Sequence, residues 1–172
     1  MALALALAAC GVTSVETADP AAVPTGPLEA AAGDPSGPIV ELGSGQSAGL
    51  GWRYAIYPSG DGWCTQLEMA EVTSGGCGDL LPAEGEAFGS VGRGEPLAGG
   101  VTPVDGIVSA EIHTVWIVDE NTAMRIPATL MPLEDAGQEG QAFVGFAPPD
   151  LAPTHVQAVK ENGDVLETYE LP

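Results

Sequence analysis

The chain has 172 residues, enough for one domain with a tail and a real core. It carries 24 acidic against 4 basic residues, a formal charge of −20. Arg53, Arg93, Arg125 and Lys160 are the only cations, too few and too scattered for an electropositive groove, which excludes nucleic-acid binding and electrostatic attraction to anionic lipid. That balance suits an acidic, solvated surface that favours cationic partners or cations in general. Gly 24 and Pro 15, with few aromatics, argue for many turns and against long helices.

Ala2 to Ala9 is apolar throughout but too short to span a bilayer, which takes about 20 residues. Its length is that of a signal-peptide apolar region, about 7–15 residues. The run ends in Leu7, Ala8, Ala9 and Cys10, with Gly11 behind them. These residues resemble the bacterial lipobox, in which a Leu stands three positions before an invariant Cys with two small residues between. The resemblance implies cleavage before Cys10, a diacylglyceryl group on its sulfur, and a place on the extracytoplasmic face of the cell membrane. Residues 1–9 are then the signal peptide. Nothing basic precedes the apolar run, so the natural start is expected upstream, or the first Met is internal to a longer signal. Residues 10–38 are rich in Ala, Pro, Gly and acids and show no hydrophobic period. They are expected to be a disordered, lipid-anchored linker with a reach of roughly 25–30 Å.

Beyond residue 38 come short apolar runs separated by turn signals, the pattern of strands. The expected strands are Ile39–Leu42, Trp52–Tyr57, Trp63–Glu71, Ala87–Val91 and Val104–Ser109. Glu111–Val118, Met124–Met131, Ala142–Ala147, His155–Lys160 and Val165–Leu171 complete them. The turns SGDG at 59–62 and ENGD at 161–164 place Gly where a tight hairpin needs positive φ, and Asp119, Glu120 and Asn121 make a third turn. Alternation puts Trp52, Tyr54 and Ile56 on one face with Arg53 opposite. It also puts Trp63, Thr65, Leu67 and Met69 opposite Cys64, Gln66 and Glu68. In Glu111–Val118, Ile112, Trp116 and Val118 oppose Val115 and Ile117, so both faces are apolar and the strand is expected to be central. Val156 and Ala158 are expected to point inward. The fold class is all-β, a sandwich or an open barrel of short antiparallel strands, in one domain over residues 39–172. The stretch Gly92–Gly100 reads either as a loop or as a domain boundary.

From Val104 onward, Gly106–Val108, Val115–Val118, Arg125–Ala128, Ala142–Val144 and Asn162–Leu166 follow in order. This cadence resembles the C-terminal part of uncharacterised exported actinobacterial lipoproteins. The resemblance implies an immunoglobulin-like β domain and an exterior location, and it implies no activity.

Four motifs bear on chemistry. With Cys10 assigned to lipid, Cys64 and Cys77 remain, and in an oxidising exterior they are expected to form a disulfide. Their spacing is wrong for CxxC redox chemistry, and no His stands nearby for a metal site; two free thiols or metal ligation are the alternatives. Such a bond closes a loop of about 13 residues and contributes roughly 3 kcal/mol. Gly45-Gln46-Ser47-Ala48-Gly49 fits GxSxG, but that motif works only at a strand-to-helix turn, and a strand follows here. It reads as a flexible Gly/Ser loop, or else as Ser47 with His113 or His155 as base. The turn acids Asp61, Asp119, Glu120, Glu161 and Asp164, with Asn121, have oxygen ligands for calcium but no spaced calcium motif, so they read as solvated turns. Trp52, Trp63 and Trp116 stand at core-like positions, with a carbohydrate-stacking platform as the alternative.

The expected function is therefore a lipid-anchored extracytoplasmic binding or envelope-associated module without catalysis, cofactor or metal. Its partners are the membrane, through Cys10, and an envelope protein or glycan. The alternative is a small secreted serine hydrolase using Ser47.

Overall fold

The computed structural model describes residues 22–60, 62–69 and 72–172. Over these described residues the fold is nearly all β, twelve strands in three antiparallel sheets of four, and it is not a closed barrel. The front sheet is a meander of β1 (Val40–Ser47), β2 (Leu50–Ser59), β3 (Gly62–Met69) and β4 (Val72–Gly78). The middle sheet draws on β5 (Phe88–Arg93), β6 (Thr102–Val108), β9 (Thr129–Pro132) and β10 (Gln141–Ala147), in the order β5-β6-β10-β9. The back sheet has the order β12-β11-β7-β8, from β7 (Thr114–Asp119), β8 (Met124–Pro127), β11 (His155–Val159) and β12 (Val165–Glu170). The only helical elements among the described residues are single 3-10 turns at Ala98–Gly100 and Glu134–Ala136. Among those residues no helix is long and apolar enough to cross a membrane.

Two cores share the middle sheet. Trp52, Tyr54, Ile56, Leu67 and Met69 of the front sheet pack on Ile107, Met131, Ala142 and Val144. Val115, Ile117, Val156 and Ala158 of the back sheet pack on Val104, Val108 and Phe143. Since neighbours along a strand point to opposite faces, Phe143 and Val144 serve different cores. The molecule is thus a layered β-sandwich whose middle layer is covered twice. Of the stretch Gly92–Gly100, Gly92 and Arg93 end β5 and the rest lies in the connection of the β5–β6 hairpin, closed by Gly94 N–H to Pro103 O at 2.9 Å and Leu97 N–H to Val101 O at 2.8 Å.

Several expected elements differ from those observed. The segment VTSGGCG is strand β4, although it offers no apolar alternation; pairing with β3 places Cys77 opposite Cys64. Of the Gly/Ser loop expected at 45–49, residues 45–47 belong to β1, and only Ala48 and Gly49 turn, with φ of 51° and 76°. Both values are positive, as a two-residue type I′ hairpin requires. Met124–Met131 divides at Ala128, where the chain leaves the back sheet for the middle one. Ile112 precedes β7 and joins Val115 and Ile117 in the core instead of siding with Trp116. β7 does lie between two neighbours, β11 and β8.

Of the linker expected over residues 10–38, the described part, residues 22–38, packs across the outer face of the front sheet. Arg53 donates to Glu68 Oε2 and to Gly26 O, each at 2.6 Å. Gln66 accepts the Ala31 amide at 2.9 Å and donates to Glu68 Oε1 at 2.8 Å. The Tyr57 hydroxyl donates to Ala32 O at 2.7 Å and accepts the Ala32 amide at 3.1 Å. Further along, the Ser36 amide donates to Pro58 O at 2.9 Å. The strap crosses the Cys64–Cys77 pair at Gly33, where φ is 59° and a Cβ would stand 3.2 Å from Cys77 Sγ. Polar alternation in β2 and β3 therefore marks a strap-binding face, and Cys64 and Gln66 are buried beneath it.

Two outcomes follow from these contacts. Arg53→Met keeps the aliphatic stem but strands Glu68 and the Gly26 carbonyl, so it should cost about 3 kcal/mol in urea unfolding. The same variant should speed hydrogen exchange at the Ala31 and Ala32 amides while leaving the back sheet unchanged. Ala48→Asn relieves an Ala held in the left-handed region and creates Asn-Gly, so it should raise stability by about 1 kcal/mol in the same assay.

Candidate functional site

The front and middle sheets do not close on each other at one side. Edge strand β4 and edge strand β5 stand apart there, and β6 lines the floor between them. The gap is a groove with two adjoining chambers that share Ser74 and Gly94. The polar chamber, about 300 Å³, is bounded by Thr65, Ser74, Ser90, Arg93 and Asp105 and by glycine backbone of β4 and β5. The apolar chamber, about 220 Å³, is bounded by Leu67, Met69, Val72, Leu97 and Pro103, with Glu95 at its rim.

The order along the strands makes the two chambers consecutive. Thr65 precedes Leu67 and Met69 on β3, and Pro103 precedes Asp105 on β6, each at the same-face spacing of two residues. On antiparallel β4, Gly76, Ser74 and Val72 run the same way in space. A groove about 7 Å from one chamber to the next therefore changes from polar to apolar along its length.

Asp105 is the chemically unusual group. It is the one acid in the strands of the middle sheet, and Tyr54 donates its hydroxyl to Oδ2 at 2.9 Å. Among the described residues no protein donor reaches Oδ1. Burial raises its pKa from the ordinary 3.8 to about 6, against the opposing hydrogen bond from Tyr54. Tyr54 is wholly buried, and burial first, then the charge of Asp105, push its phenol well above the usual range. Sequence reading placed Tyr54 on the inner face but passed over Asp105. The available signal was a lone acid between Val104 and Gly106-Ile107-Val108, in a strand otherwise without charge.

The residues singled out from sequence are dispersed. Ser47 ends β1 at a hairpin and lines a different cleft with Trp52, Ile126 and Phe146, where no His stands. His113 is exposed in an open depression beside Glu134 and Glu139. His155 is buried in the back sheet, its Nδ1 3.0 Å from Thr154 Oγ1. The structure thus brings neither His to the cleft of Ser47. Asp119 uses its oxygens on the Asn121 and Ala152 amides at 2.9 and 3.2 Å. Burial works to raise its pKa, but hydrogen bonds from Thr122, Ala152 and Asn121 prevail and hold it below the usual range. Among the described residues no three His, Cys, Asp or Glu side chains gather to hold a metal ion. Asp61 and Cys10 lie outside the described residues.

Trp52 is buried against Phe146, with ring centroids 5.7 Å apart, and Trp63 is partly buried against the same core. Trp116 lies on the outer face of the back sheet with Arg125 4.8 Å over its ring, so they form no common platform. Cys64 and Cys77 are register partners with sulfurs at disulfide distance, 2.03 Å. Comparison with protein-family models, with curated proteins and with solved structures returned no match.

The raised pKa of Asp105 makes a signed prediction. Its native pKa lies above the unfolded value, so its stabilising contribution is complete below about pH 3.8 and lost as pH rises through about 6. Part of the residue's surface still meets solvent, which screens the ~3 kcal/mol of such a displacement to about 2 kcal/mol. Asp105→Asn lacks this loss. Its stability relative to the parent chain should therefore rise by about 2 kcal/mol between pH ~4 and ~8, in paired urea titrations.

Proposed function

We propose that this protein is a ligand-binding module on the extracytoplasmic face of a bacterial membrane, held there by lipid on Cys10, with no catalysis of its own. The observation that carries the binding reading is the groove between β4 and β5, where a partly buried carboxylate opens into a cavity that grades into an apolar chamber. A concave site of this kind, mostly apolar with a few convergent polar groups, is what small-ligand recognition uses. The anchor reading rests on the run Leu7-Ala8-Ala9-Cys10 and its position behind an apolar stretch. The Cys64–Cys77 pair at disulfide distance supports an oxidising compartment. The immunoglobulin-like identity belongs to the same proposal, and a layered antiparallel β-sandwich is compatible with it.

The strap changes how such an anchor would act. Since residues 22–38 pack on the front sheet, only residues 11–21 separate Cys10 from the first packed residue, at most ~43 Å of fully extended chain. The module would sit close above the lipid headgroups, with the front sheet tied to the anchor. An envelope protein or glycan remains the proposed class of partner beyond the membrane.

Expression in a bacterial host with the full signal tests both halves. Cys10→Ser should move the protein from the membrane fraction to the soluble one. Val72→Trp should fill the apolar chamber from an exposed position and abolish the thermal shifts that a fragment collection gives with the parent chain. Retention of membrane recovery in the first variant, or of the same shifts in the second, would overturn the corresponding half.

A further inference from the structure

We infer that the groove between β4 and β5 takes an organic cation, an ammonium seated against Asp105 with an apolar arm lying along β6 into the chamber of Leu67, Met69, Val72 and Leu97. The inference rests on the reading of that groove as the binding site and assigns it a chemical class of ligand. Three observations on the site converge. Asp105 Oδ2 is satisfied by Tyr54, whereas Oδ1 has no protein donor among the described residues and lies toward Gly92, which lines the polar chamber together with Asp105. An ionised carboxylate is an acceptor only, so the group that completes it must be a donor, and a charged donor is the strongest partner. The second observation is the polarity gradient. Asp105 and Pro103 lie on one face of β6, so a ligand nitrogen at the first leaves its carbon chain over the second, about 7 Å on. The third is the field: a chain of net charge −20 draws cations toward any cleft on its surface.

The other charged or titratable groups around the site are few. Tyr54 faces Asp105 from β2 and stays a neutral donor. Arg93, at the end of β5, borders the polar chamber, and its guanidinium reaches outward to Pro172 O at 3.5 Å. Glu95, on the link to β6, borders the apolar chamber and adds negative charge at the exit. Thr65 and Ser74, from β3 and β4, contribute neutral polar surface. Arg93 is therefore the one opposing cation, and it lies exposed at the mouth. Asp105 loses its charge as pH falls through about 6, so a cation should be released in the same range.

The experiment is an amide-resolved NMR titration with n-hexylammonium and with n-hexanol, which share the apolar arm and differ in the head group. At about pH 8 the ammonium should bind the groove amides of Gly75, Gly92, Gly94 and Asp105 about tenfold more tightly than the alcohol. That preference should shrink to near parity at about pH 5 and in Asp105→Asn, whose back-sheet amides report that it remains folded. Equal binding of both probes at about pH 8, or a preference that survives in Asp105→Asn, overturns the cation assignment and leaves the groove as a binding site. If neither probe moves the groove amides, the groove reading falls with it.

Discussion

The structure depends on a middle sheet that is covered on both faces. A sheet with one wet face can alternate apolar and polar residues, but one packed between two others must be apolar on every residue that is not small. β6 and β10 meet that demand with Val104, Gly106, Ile107 and Val108, and with Ala142 to Phe146. The glycines matter as much as the large residues. At Gly145 a Cβ would run into Ile117 of the back sheet, so the two layers approach as closely as they do because nothing stands between them. Within this constraint Asp105 is an exception. A carboxylate in such a layer must be neutralised, hydrogen-bonded or wet, and here Tyr54 holds one oxygen while the residue lines a cavity. An exception of this kind in a sheet that otherwise excludes charge is where function is expected to reside.

The front sheet solves a different problem. Its inner face supplies half a core, while its outer face carries Arg53, Gln66 and Glu68, which would suit solvent. The strap covers that face and meets Arg53 and Gln66 with backbone carbonyls and an amide, while Glu68 is held by those two side chains. Polar pairing makes the arrangement specific in register: Arg53 reaches Gly26 and Pro27, Gln66 reaches Ala31, and Tyr57 reaches Ala32. Each contact fixes a different point along the strap, so a shift by one residue would lose them all together. The disulfide-distance pair beneath it stiffens β3 against β4, the edge strand with the least side-chain support.

What could be read from the sequence follows the strength of local patterns. The hairpins at 59–62 and 161–164, the inward faces of β2, β3 and β11, and the central place of β7 all came from alternation and turn chemistry, and the structure has them. β4 was missed because Val72–Gly78 holds three glycines and no apolar period; its strand state comes from pairing with β3, a tertiary effect. The division at Ala128 was invisible for a related reason, since β8 and β9 are each too short to show a period and differ only in which sheet they join. For residues 22–38 a composition of Ala, Pro and Gly reads as unstructured, yet these small residues let the chain lie flat on a neighbouring sheet. The compositional rule counts apolar burial, and the strap is held by hydrogen bonds.

The candidate site was illegible because it belongs to no single segment. Its parts come from β2, β3, β4, β5 and β6, and each looks ordinary in its own strand. The groove exists because two sheets that share a core end in edge strands that are not joined. β4 is exposed along its whole length and uncharged, with glycines where bulky side chains would fill the gap toward β5. An edge without charge or proline is ordinarily a liability, open to pairing with another chain. Here its glycine-rich stretch forms one wall of a cavity whose floor bears Asp105, with one carboxylate oxygen that has no donor among the described residues. Side chains on β4 large enough to protect the edge would also close the cavity. The sparse edge and the incompletely satisfied carboxylate therefore have one explanation if the groove is kept open for a ligand, and would need two separate ones if it were not.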